Sequence, residues 1–276
     1  MVTSETVCPA CGGDSVRKDG RDRKGAQVRR CGTCRRRFTA LSATPFSGYR
    51  FPPEVIALAV RWYLRYRLSY ADVAELLAER GITVGPSTIF AWVREFAPLY
   101  EDAARPFRHG VGSTWSVDET YVKVAGAWAY VYRAIDEHGQ IVDVYVSGQR
   151  ATADAAAFFR RAIEATGVVP DDVTTDCAAA FPPALAAVLP AVAHETGKAV
   201  QQRIERDHQH LKGRVCGMRG FTTLTGASVF CRAHAFLRNL RGGFYELGTP
   251  ASAAASAPLP PTMRAWNTLT ADLLGR

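Results

Sequence analysis

Residues 114–124, 128–136 and 140–148 are three consecutive β-rich runs, and no other feature limits the fold of this chain more. Only Ala125, Gly126 and Ala127 separate the first two, and Glu137, His138 and Gly139 the next two. Connections that short make neighbouring strands antiparallel, so a three-stranded meander is expected. A helical tract at 152–166 leads to a short strand at 172–176, a crossover long enough for parallel pairing. The order βββαβ, then helices near 184–189, 200–215 and 225–241, predicts an α/β domain with a mixed sheet flanked by helices.

Ahead of this domain the pattern differs. Cys8 and Cys11 form one CxxC knuckle, Cys31 and Cys34 another, with nineteen residues between them. Each knuckle can present two thiolates to one ion while the intervening loop forms a hairpin, which predicts a zinc ribbon with structural Zn²⁺. So small a segment cannot bury enough apolar surface to fold unaided, and metal binding supplies the missing free energy. Arg35, Arg36 and Arg37 follow directly, and residues 1–50 carry +7 of the net charge of +8. Of 34 basic residues 29 are Arg, whose planar forks suit phosphate oxygens, so the N-terminal part reads as a DNA-binding head.

Apolar residues at helical spacing predict helices over 53–67, 70–79 and 86–96, the second capped by Ser69 and ended by Gly81. Two short helices across a glycine-containing turn suggest helix-turn-helix, with Ser87, Thr88 and Arg94 as candidates for phosphate or base contact. An ordinary helical hairpin is the alternative. The expected organisation is a ribbon at 1–45, a helix-turn-helix domain at 46–110, the α/β domain at 111–247 and a Pro/Ala-rich flexible tail with one short helix at 248–276.

Asp118 lies in the first β run, Asp176 ends the fourth, and Glu205 lies on a later helix. If the sheet pairs those strands, three carboxylates can converge on hard divalent cations, Mg²⁺ or Mn²⁺, at a phosphoryl-transfer site. With 26 acidic residues in the chain, spacing alone leaves other trios open. Strand alternation sends Glu119 to the face opposite Asp118, and Asp207, about 200° around the helix from Glu205, reads as a solvated or capping charge.

The segments WSVDETYVKVAGAWAYVYRAID, TTD, IERDHQHLKGRV and MRGF resemble the IS6 family of insertion-sequence transposases over roughly residues 50–246. The resemblance implies an RNase H-like catalytic domain with a DDE triad at Asp118, Asp176 and Glu205. It also implies recognition of terminal inverted repeats, Mg²⁺-dependent cleavage exposing a 3′-hydroxyl, and strand transfer into target DNA. This chain departs from the family in three places. Only 28 residues separate Asp176 from Glu205, with Glu195 as the fallback ligand. Gln201 and Gln202 replace a familiar Asn pair, and the stretch from Cys177 to Phe181 is less polar. An N-terminal ribbon is not universal in the family.

Holding two element ends together implies a homodimer or larger assembly on DNA. His208 is read as lying near the scissile phosphate or a carboxylate, with a plain surface histidine as the alternative, and Lys212 as contacting the DNA backbone, with a solvated lysine as the alternative. A second zinc site at His208, His210 and Cys216 is rejected, because i, i+2 positions on a helix point apart. Trp115 and Trp128, like Cys177, Cys216 and Cys231, are read as core. No membrane span or secretory leader is visible, which predicts a cytoplasmic, nucleoid-associated protein. A DNA-binding regulator derived from a decayed transposase and an RNase H-type nuclease or resolvase are the rival functions.

Overall fold

The computed structural model describes residues 7–176, 178–197, 202–218, 220–247 and 260–275. They fall into two compact units, one combining residues up to Leu58 with those from Leu247 onward, the other spanning Ala59–Glu246.

In the first unit, β1 (Val16–Arg21), β2 (Gln27–Cys31) and β3 (Arg37–Phe38) form a three-stranded antiparallel sheet. Cys8, Cys31 and Phe38 are its small buried centre. Helix α1 (Pro53–Arg65) begins here, its Pro in the first turn where no helical N–H is needed. The Pro/Ala-rich residues 248–259 lie outside the described residues, and α8 (Pro261–Leu273) follows them. Its buried Trp266 donates its indole N–H to the Ala57 carbonyl at 3.2 Å.

The second unit opens with α2 (Tyr70–Ala78) and α3 (Pro86–Ala104). The Ser69 hydroxyl accepts from the Asp72 amide at 3.1 Å and the Asp72 carboxylate from the Ser69 amide at 2.7 Å, a reciprocal cap that fixes the start of α2. Gly81, at φ 74°, takes the left-handed turn before α3. Helix α3 runs well past Phe96 because Ala97, Tyr100 and Ala104 continue its apolar stripe, and Glu101 ties it to Arg232 at 2.7 Å.

Strands β4 (Thr114–Val124), β5 (Ala127–Asp136) and β6 (Ile141–Ser147) make the expected meander. Its first hairpin turns on Ala125 and Gly126, both at positive φ. Helix α4 (Thr152–Thr166) crosses to β7 (Asp172–Thr175), which pairs with β4 in parallel. Helix α5 (Phe181–Val188) then leads to β8 (Ala193–Thr196), completing a five-stranded sheet in the order β6-β5-β4-β7-β8. Strand β8 escaped the sequence reading because it is short, polar and at the sheet edge, with no apolar alternation to mark it.

Trp115, Val117, Tyr132 and Ala134 face Phe158, Phe159 and Ala162 of α4 and Phe181 and Leu185 of α5. Each large apolar side chain buried there contributes about 1.5–3 kcal/mol. The other face of the sheet receives α6 (Gln202–Val215) and α7 (Leu224–Gly242). Along the outer border of β6, the Asn239 side-chain amide accepts from the Ile141 N–H and donates to the Ile141 carbonyl, both at 2.8 Å. Arg108 donates to the Ile141 and Val142 carbonyls at 2.7 and 2.9 Å.

Asp207 corrects the sequence reading. It is not solvated but 2% exposed, with Oδ2 at 2.8 Å from Nη1 of the fully buried Arg133 on β5 and Oδ1 at 3.2 Å from Nε of Arg238. Burial alone would raise its pKa, but Arg133, with help from Arg238, outweighs burial and holds the carboxyl below its ordinary value. His234 in turn stays neutral, pushed down to about 3 by burial and by Arg133.

Asp207→Asn is therefore expected to cost about 3–5 kcal/mol in denaturant unfolding at neutral pH, because Arg133 is left buried without its counter-charge. Asp207 has a folded pKa below its unfolded value of about 4. Its stabilisation is complete above that pH and fades as the pH falls through the lower folded value. The gap between wild type and variant should narrow in the same window. A gap that stays constant or widens in acid would show that the ion pair is not its source.

Candidate active site

The last register pair between β4 and β7 joins Val117 to Thr175, so Asp118 and Asp176 leave the ladder side by side. Asp176 is turned by its own loop, its carboxylate accepting from the Ala178 amide at 2.9 Å. Asp118, 7% exposed, accepts from the Glu119 amide at 2.8 Å. Carboxylate oxygens of Asp118, Glu119 and Asp176 all lie within 4.8 Å of one another.

Glu119 was expected to point away. Alternation does place it on the opposite face of β4, but β7 stops opposite Val117, two residues earlier, and β4 continues unpaired on that border until Phe221 bridges it at Val124. There its longer side chain reaches round to the two aspartates. An ion pair with Arg150, in the connection before α4, anchors it. Burial pushes the Glu119 carboxyl above its usual range; Arg150 draws it back, while Asp176 and Asp118 push it further up.

Helix α6 supplies the other wall. Ile204, Asp207, His208 and Leu211 form its buried face, and His208 Nδ1 stands 3.4 Å from Asp118 Oδ2. Glu205 is exposed in the first turn, one turn ahead of His208 and outside the compact carboxylate group. Its helical position is about 60° from that of His208. Lys212 is exposed with Nζ 5.3 Å from the Tyr121 ring centroid. Glu195, on β8, is exposed and likewise outside the group.

Of the remaining residues singled out from sequence, Ser87 is exposed and Thr88 half-buried in the first turn of α3. Arg94 is exposed, its guanidinium 5.5 Å from the Phe90 ring centroid. Arg35, Arg36 and Arg37 are exposed, with Arg37 paired to Asp19 at 2.9 Å. Trp115 is in the core as expected, but Trp128 is 53% exposed because the tip of the β4–β5 hairpin extends past the packed helices. Cys231 is buried and its thiol pushed up to about 12, whereas Cys216 is exposed rather than core. Cys177 and Gln201 lie outside the described residues.

In the first unit the four cysteines of the two knuckles gather with their sulfurs within 4.8 Å of one another. Cys8 and Cys34 are 3.6 Å apart, as are Cys11 and Cys31. The Cys34 amide points at the Cys31 sulfur and lowers that thiol to about 6. Although the Gly13 amide favours the Cys11 thiolate, the neighbouring sulfurs of Cys34 and Cys31 drive it up to about 12. Four thiols this close cannot all ionise without a cation among them, and their spacing suits a soft tetrahedral ion.

A mixed sheet that carries one carboxylate within its central strand and a second just past the end of the neighbouring parallel strand, with a helix closing over them, is the architecture of an RNase H-like catalytic domain. Residues 112–243 match a DDE domain model, DDE_Tnp_IS240. The transposase of the insertion sequence-like element IS431mec of Staphylococcus aureus is 41% identical over 170 residues, covering 60% of this chain and 75% of that protein. The transposase of IS257 in transposon Tn4003, also from Staphylococcus aureus, is 40% identical over the same length and coverage. Among solved structures, the HTLV-2 integrase catalytic core domain in complex with magnesium is 15% identical, with a TM-score of 0.35 over 54% of this chain and 96% of that one. The chain belongs to the IS6 family of DDE insertion-sequence transposases, and is an enzyme of that class.

Removal of the Arg150 guanidinium leaves Glu119 facing two aspartates uncompensated. Arg150→Ala should move the Glu119 titration midpoint upward in carboxyl-selective NMR. An unchanged or lower midpoint would mean that Arg150 does not hold the charge of this cluster.

Proposed function

We propose that the chain binds the terminal inverted repeats of an insertion sequence and catalyses Mg²⁺- or Mn²⁺-dependent DNA cleavage and strand transfer. The observation that carries this reading is the meeting of Asp118 and Asp176 where the ladder between β4 and β7 stops, with Glu119 beside them. Three clustered carboxylates with one arginine and one histidine against them make an oxygen-rich, net negative site, the donor set hard divalent cations require. Asp118 and Asp176 are the ligands from the sheet, and Glu205 is the third, brought from α6 by the helix that His208 and Asp207 fasten to the sheet. When bound, magnesium supplies Lewis-acid activation of the attacking oxygen and charge stabilisation of the departing one. Water and then the freed 3′-hydroxyl are the nucleophiles, so no covalent protein intermediate forms.

The rest of the chain positions DNA. Residues 46–110 act as a helix-turn-helix domain, with Ser87, Thr88 and Arg94 at the duplex, ahead of the catalytic domain at 111–247. Residues 1–45 form a zinc ribbon whose Cys8, Cys11, Cys31 and Cys34 hold Zn²⁺, with Arg35, Arg36 and Arg37 on phosphates. His208 and Lys212 lie close to the reacting strand. Both element ends and the target are held by a homodimer or larger assembly, in the cytoplasm at the nucleoid. No described helix is long and apolar enough to cross a membrane.

Purified protein incubated with labelled element ends and Mg²⁺ or Mn²⁺ should yield joined products. Asp118→Ala should reduce them more than about 100-fold, since even outer partners of metal ligands cost 10- to 100-fold when removed. Cleavage without joining would point to a nuclease, and binding without either to a regulator. For the ribbon, a Cys8→Ser, Cys31→Ser variant should lose bound zinc in metal analysis, and full retention would discard that site.

A further inference from the structure

On β4, Trp115, Val117, Glu119, Tyr121 and Lys123 alternate onto one face of the sheet. The first two are covered by α4 and α5, but from Tyr121 onward this face is open. Tyr121 is 54% exposed and Trp128 53%, and their rings meet edge to face with centroids 4.9 Å apart. Lys123, the cross-strand partner of Trp128, holds Nζ 5.1 Å from that ring centroid. Lys212 approaches from α6 past the stretch of β4 left unpaired between the end of β7 and the Phe221 bridge at Val124, with Nζ 5.3 Å from the Tyr121 centroid. Two large aromatic rings left in water and flanked by two ammonium groups form a surface built for a ligand that is flat, apolar on its faces and anionic along its length.

We infer that Tyr121 and Trp128 form a stacking platform for an unpaired nucleobase of the DNA strand being processed, with Lys123 and Lys212 on its flanking phosphates. This rests on the function proposed above. An apolar partner would bury both lysine charges without compensation, whereas phosphates neutralise them. In a duplex both faces of each base are already stacked, so only a base displaced from the helix, or a single strand, can use an aromatic face. The location agrees. Tyr121 lies two residues beyond Glu119 on the same face, about 7 Å along the strand. Lys212 lies about one helical turn beyond His208, which contacts Asp118. A strand whose phosphate sits at the carboxylates therefore continues over the rings, and stacking the neighbouring base there would hold open the end of the duplex.

The test uses the full chain without divalent metal and a short oligothymidylate carrying 5-iododeoxyuridine. After irradiation, the crosslink should map to Tyr121 or Trp128. Tyr121→Leu and Trp128→Leu, which leave an apolar side chain and remove the π-face, should each weaken oligothymidylate binding about fivefold or more. Tyr121→Phe and Trp128→Phe should stay within about twofold of wild type, as should the duplex affinity of all four variants. Crosslinks found solely elsewhere, Leu variants that bind as wild type, or Phe variants as weak as the Leu ones would overturn the platform. If Asp118→Ala abolishes joining while the Leu variants bind normally, the platform fails alone. If the platform results hold while Asp118→Ala still joins DNA, the catalytic reading fails and the platform stands.

Discussion

The parallel ladder between β4 and β7 stops at Val117 and Thr175, while β4 runs on for seven more residues to Val124. That mismatch of length organises the functional end of the molecule. It releases Asp118 and Asp176 together and leaves one border of β4 without a partner between Val117 and the Phe221 bridge at Val124, so groups on opposite faces of a single strand can meet around it. Glu119 arrives from one face and the α6 side chains from the other. Had β7 been longer, its backbone would have filled the space the carboxylates share.

A second constraint works through charge rather than chain length. Arg133 stands opposite Asp118 in the β4–β5 register and has no exposed surface, and its counter-charge comes from Asp207 on α6. Burying such a pair adds little net stability, since desolvation offsets most of the attraction, but breaking it is expensive. The pair therefore acts as a locator. It sets the rotation and depth of α6 against the sheet, and neighbouring His208 reaches Asp118 from that fixed position. The neutral His234 beneath it avoids adding another positive charge to a site that already holds two arginines.

Much of this arrangement is legible in the sequence where the signal is local. The β4–β6 meander announces itself through tight connections, α4 through apolar periodicity, and the cysteine cluster through its two knuckles. What escapes depends on where elements end relative to one another. Alternation assigns Glu119 to the correct face of its strand, yet cannot tell that the neighbouring strand terminates two residues before it. The same gap hides the exposure of Trp128, whose aromatic character suits a core if helices cover the hairpin tip and a surface if they do not. Asp207 looks like any helix-surface acid until the fold brings Arg133 beneath it. Strand β8 is recruited by the open edge of β7 and not by any pattern of its own.

The border of β6 is sealed differently from that of β4. The Asn239 amide satisfies both outward backbone groups of Ile141, and Arg108 takes the adjoining carbonyls, so side chains occupy the seats a sixth strand would need. A neighbouring molecule attempting to extend the sheet at that seam would have to evict an amide and a guanidinium before forming its first rung. Stray fusion of sheets between crowded copies is thereby discouraged at this flank, at the cost of two side chains and no extra length of chain.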